Sequence, residues 1–149
     1  MRILLSIAGF AALTVPLALA QPATDFTALR KKLKDWAIEG TTQSHAAEGL
    51  VAKGATVAHE FAVDPTRDTI IVAICEDAAC SDVNVVGSDS TGAFVTPDRT
   101  VGSEGIVTLF ADSIVSKKLK VEVSAPGCKN ATCAYTLSVS SRPRSYPAE

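Results

Sequence analysis

The sequence predicts an all-β protein, an antiparallel β-sandwich of seven to eight strands preceded by one amphipathic α-helix. From residue 49 onward, short apolar runs recur roughly every 8–15 residues, several with strict alternation of apolar and polar side chains. Turn residues separate the runs, among them Asp64-Pro65, Gly87-Ser88-Asp89, Thr91-Gly92, Pro97-Asp98 and Pro126-Gly127. Only the stretch 24–40 carries a helical period, so no crossover helices are available and a βαβ fold is excluded.

Within that helix Phe26, Leu29, Leu33, Trp36 and Ala37 fall on one apolar face, with Thr24 or Asp25 capping the start and Gly40 the end. Trp36, the single tryptophan, lies in this apolar register and reads as packing. The opposite face carries Arg30, Lys31, Lys32 and Lys34, which reads as the solvated side; contact with an acidic partner or lipid headgroups is the alternative. Residues 41–46 read as a polar linker.

Strands are predicted over 49–52, 56–63, 69–75, 82–86, 93–96, 106–111, 119–124 and 134–140. Val57, His59, Phe61 and Val63 share one face of the second. Leu119, Val121 and Val123 oppose Lys118, Lys120 and Glu122 in the seventh, while Tyr135, Leu137 and Val139 alternate with Thr136, Ser138 and Ser140 in the last. The tail 142–149, with two prolines, reads as a frayed end.

The chain has 149 residues, enough for one domain, and its hydrophobic content of 47% is concentrated at the start. Residues 1–20 have the layout of a secretory signal. Arg2 is followed by an uncharged apolar stretch, then Pro16, then Ala18 and Ala20 at the positions a signal peptidase reads. The expected organisation is a signal peptide over 1–20, a helix and linker over 21–46, a sandwich domain over 47–141 and a flexible tail over 142–149. That layout implies a periplasmic or secreted protein with no integral membrane span after processing. With 14 basic and 16 acidic residues, a net charge of −2 and no long basic block, nucleic acid is excluded as a partner class.

Export makes disulfides the default use of the four cysteines. Cys75 and Cys80, and Cys128 and Cys133, are the same C-x4-C spacing twice. In a straight strand such cysteines would stand about 16 Å apart, beyond the roughly 7 Å a disulfide spans. Local pairing therefore requires each pair to close a tight turn; crossed pairings and a four-thiolate zinc site are the alternatives.

Catalytic patterns are thin. His45 and His59 have no H-E-x-x-H partner, no serine sits in a G-x-S-x-G turn, and His59 reads as a hydrogen-bonded, partly buried side chain. The chain is thus expected to be non-catalytic. Asp82, Asn84 and Asp89, with Asp77 and Asp98 nearby, are weak candidates for a calcium site, since hard cations take several oxygen ligands; turn capping is the competing role for the same residues. No other cofactor is indicated.

The run Gly49-Leu50-Val51-Ala52-Lys53-Gly54 followed by Phe61-Ala62-Val63 resembles the opening of bacterial pre-peptidase C-terminal domains, where G-x-L-x-x-G leads into a strand ending F-x-V. Asp82-Val83-Asn84-Val85-Val86 followed by Asp89-Ser90-Thr91-Gly92 is similar to their D-x-D-L-x-L strand and D-x-x-G hairpin, with Asn84 in place of the second aspartate. The likeness spans about 47–141 and leaves the helix outside it. It implies a jelly-roll-like sandwich, and family members that bind calcium or polymeric substrates. The function expected is an exported module that works by surface binding, or as an accessory to an envelope or secreted protein. The alternative is a glycan- or peptide-binding module, calcium-assisted or not. Phe94 and Tyr146 are the aromatic side chains best placed for exposure.

Overall fold

The computed structural model describes residues 24–98 and 100–145. One helix, α1 (Thr27–Asp35), precedes eight strands: β1 (Thr42–Ala52), β2 (Thr56–Ala62), β3 (Asp68–Cys75), β4 (Asn84–Asp89), β5 (Val95–Pro97), β6 (Glu104–Leu109), β7 (Lys118–Ser124) and β8 (Thr132–Arg142). The proposed signal, and Tyr146 in the tail, lie outside the described residues.

The strands form two antiparallel four-stranded sheets, in the orders β1-β8-β3-β6 and β2-β7-β4-β5. This is the jelly-roll arrangement, in which the chain crosses repeatedly from one sheet to the other. Alternation explains why the sheets face each other. In β7 the buried Leu119, Val121 and Val123 point inward and Lys118, Lys120 and Glu122 outward. β8 places Tyr135, Leu137 and Val139 on its inner face, in one core with Ile71 of β3, Val107 and Leu109 of β6 and Val85 of β4. The sandwich predicted from the sequence is therefore the observed fold.

Two differences from the expected boundaries bear on how the sheet closes. Residues 42–46, read as part of a linker, belong to β1, and Thr42 already pairs with Ser141. Their polar composition reflects an edge position, since β1 has only β8 beside it. The tail does not fray where expected. β8 runs to Arg142, and the buried Asp68 carboxylate accepts hydrogen bonds from Arg142 Nε at 3.4 Å, from the Ser145 amide at 3.1 Å and from the Ser145 hydroxyl. Burial alone would raise the Asp68 carboxyl, but these donors and the Ala111 amide outweigh it and lower its pKa.

Both C-x4-C pairs close locally, Cys75 with Cys80 and Cys128 with Cys133, across Cα separations of 5.9 and 5.8 Å. The two loops lie side by side. Cys80 bridges Cys128 in antiparallel fashion, the Lys129 amide donates to the Ala79 carbonyl at 2.9 Å, and the Ser81 amide to the Gly127 carbonyl at 3.1 Å. Gly127 is required by this approach, because a Cβ there would stand 2.3 Å from the Asp82 nitrogen. The staples thus form one end of the molecule rather than two separate turns.

Candidate functional site

Every residue of β3 is buried, on both faces. One face joins the sandwich interior; the other, Ile70, Val72 and Ile74, forms a second apolar cluster under α1 with Leu29, and with the partly buried Phe26, Leu33 and Trp36 packed against it. The helix therefore lies on the outer face of the β1-β8-β3-β6 sheet. Its start is held by the Asp25 carboxylate, which accepts from the Thr27 amide at 2.9 Å. It ends five residues earlier than expected, at Asp35, where the Trp36 and Ala37 amides reach back to the Leu33 and Lys34 carbonyls in tighter turns. Gly40, at φ +78°, serves the turn into β1 instead of the helix cap.

The basic side of α1 is not simply solvated. Arg30 makes a two-pronged bond to Glu48 of β1, Nε to Oε1 at 2.5 Å and Nη2 to Oε2 at 2.7 Å. On the other flank Lys32 Nζ reaches Asp77 Oδ1 and Glu104 Oε1, both at 2.8 Å. Desolvation works against the Lys32 ammonium, but the bonds to Asp77 and Glu104 outweigh it and its pKa is raised. Two cations thus clamp the helix across the sheet from β1 to β6, and only Lys31 and Lys34 remain on the solvent side as the sequence suggested. Lys31 pairs with Asp35 one turn on.

Beside the C-terminal half of α1 the clamp leaves a groove of about 510 Å³, within the range of small-ligand sites. Register explains why it is there. Ala46, Ser138 and Val72 stand side by side across β1, β8 and β3, and Gln43, Ser140 and Ile70 form the next row. The first row is low, because Ala and Ser fill little of the space beneath the helix. Leu33, Trp36 and Ile38 line the opposite side. Trp36 thus packs as expected and also borders a cavity. Gln43, Ser138 and Ser140 were missed by sequence reading. The signal for them is the uninterrupted apolar run of β3, which requires cover on both faces.

A second constellation lies at the open β1–β2 side of the sandwich. His45 and His59 flank Phe61, with ring centroids 5.1 and 5.9 Å from it. The Ala62 carbonyl accepts from His45 Nε2 at 2.7 Å, and a 2.7 Å hydrogen bond joins His59 Nε2 to the Tyr135 hydroxyl. Gly49 admits that hydroxyl, since a Cβ there would stand 2.9 Å from it. Burial lowers the His59 pKa and raises that of Tyr135, so both are held neutral. His59 is the hydrogen-bonded, partly buried side chain the sequence suggested.

With the folded pKa of His59 depressed, the unfolded chain carries a proton that the folded chain lacks as pH falls below about 6.5. The stabilisation is complete above that value and is lost on acidification through the lowered folded pKa. Thermal melts from pH 7.5 to 5 should therefore fall less steeply for His59→Gln than for the parent chain; equal slopes would contradict this role.

The calcium candidates are occupied otherwise. Asp89 Oδ1 accepts from the Thr91 amide and hydroxyl at 2.8 and 2.6 Å, and Oδ2 from the Ser116 amide and hydroxyl at 2.9 and 2.8 Å. These donors hold its pKa far below the carboxylate range. The same D-x-T turn recurs at Asp64 with Thr66 and at Asp98 with Thr100. Asp82 Oδ1 receives the Gly102 amide at 3.3 Å, and Asn84 lies half-buried at the start of β4. Among the described residues no three His, Cys, Asp or Glu side chains are grouped to hold a metal ion. Among them, too, no helix is long and apolar enough to cross a membrane. Phe94 is partly exposed, at 38%.

Comparison with known protein families and with curated proteins returns no match.

Proposed function

We propose that the protein is an exported, non-catalytic binding module: a stapled jelly-roll scaffold that presents the groove between α1 and the outer sheet face to an envelope or secreted partner or a polymeric ligand. The groove is the observation that carries this reading, being a recess of ligand size built from small side chains in register and walled by Trp36. The eight-strand jelly-roll order supports the likeness to pre-peptidase C-terminal domains. The two disulfides fit an oxidising compartment, and periplasmic or secreted localisation is the finer reading. Engagement of Arg30 and Lys32 within the domain weighs against the helix as a free basic docking surface.

The test is co-purification of the tagged protein from periplasmic extract beside Ala46→Trp, which fills the groove floor. A partner or polymer retained by the parent chain and lost from a folded Ala46→Trp variant is the expected result. Equal recovery by both would remove the groove from the function.

A further inference from the structure

We infer that the groove beside α1 takes a neutral saccharide segment; this rests on the binding reading above and adds the chemistry of the ligand. On its rim Arg30 and Glu48 saturate one another through two hydrogen bonds, and Lys34 is the one further charged side chain, exposed on the solvent side of α1. The floor itself carries no charge to select a charged ligand. What lies on the floor is uncharged and able both to donate and to accept. The Ser138 and Ser140 hydroxyls stand 3.4 Å apart with the Gln43 amide in the adjoining register position. Ser138 is 7% exposed, so its hydroxyl is available only inside the recess.

The walls supply the complementary half of sugar recognition. Trp36, Leu33, Ile70 and Val72 offer apolar surface to the C–H faces of a pyranose ring, and an indole suits such a face best. A peptide fits the chemistry less well. Two of the three floor strands, β8 and β3, are interior to the sheet with neighbours on both sides, so their backbone groups are engaged in the ladders, and an added strand could pair only along the edge of β1, away from the floor hydroxyls.

Because Trp36 is the only tryptophan, its fluorescence reports directly on the groove. The full oxidised chain would be titrated with xylohexaose, maltohexaose and chitohexaose, with a galacturonate hexamer and an uncharged hexapeptide in parallel. A saturable change with at least one neutral hexasaccharide is expected, weakened about five- to tenfold in Ser138→Ala through loss of one hydrogen bond. A response confined to the galacturonate or to the peptide overturns the neutral-saccharide assignment and leaves the binding reading standing. Silence towards every probe, in fluorescence and in calorimetry, also overturns it, while the Ala46→Trp co-purification decides the binding reading separately. Ser138→Ala binding as tightly as the parent chain would move the ligand off this floor.

Discussion

Reduction of both disulfides is expected to lower the unfolding free energy by about 4 kcal/mol, roughly 2 kcal/mol for each six-residue loop. That is a large share of the stability of a domain this size. Each bond restricts the unfolded chain, but the folded state adds a coupling, because the loops rest on one another through Cys80, Cys128 and the Lys129–Ala79 hydrogen bond. Loosening one loop withdraws support from the other. In urea denaturation, the paired variants Cys75→Ser with Cys80→Ser and Cys128→Ser with Cys133→Ser should therefore lose, in sum, more than the fully reduced chain, because each variant alone already forfeits the contact the two loops share. A joint loss under about 2 kcal/mol would show that the staples are incidental to stability.

Tyr135→Ala should cost about 3–5 kcal/mol, the range for truncating a buried aromatic ring. Tyr135 is among the largest side chains of the core to be fully enclosed, set beneath Gly49 and hydrogen-bonded to His59. Tyr135→Phe keeps the ring and removes the hydroxyl. It strands the His59 nitrogen and should cost about 1–3 kcal/mol. Denaturation of both variants at pH 7.5 separates the packing of the ring from its hydrogen bond. If Tyr135→Phe proved as damaging as Tyr135→Ala, the hydroxyl would outweigh the ring and the core would need a different description.

Much of the sandwich was legible because its strands obey period two. Leu119, Val121 and Val123 announce an inner face whatever lies opposite, and the C-x4-C spacing permits local pairing only across a turn. The order of the strands was not legible in that way, since alternation reveals which side chains face inward and not which strand is the neighbour. Residues 42–46 were misread because β1 gains its ladder only from β8, some ninety positions later in the chain. The Asp residues were ambiguous for a physical reason, as the oxygens that cap a D-x-T turn are the same oxygens that would hold a cation. The groove was the least legible feature of all. It exists only where Ala46 and Ser138, ordinary residues in their own strands, are brought beside each other beneath a helix whose clamps, Glu48 and Glu104, lie 18 and 72 residues beyond Arg30 and Lys32.

The pairing of Thr42 with Ser141 has a mechanical consequence. The first and last strands are antiparallel neighbours whose outer ends lie together, so the chain enters and leaves the sandwich at the same place. A tether pulling on both ends would load the β1–β8 hydrogen bonds one at a time, like a zip, and not all at once in shear. Before the first of them parts, tension on the N-terminal side must peel α1 from the sheet, against Arg30 and Lys32. Stretch applied to the domain would thus dismantle the groove first and leave the stapled end for last.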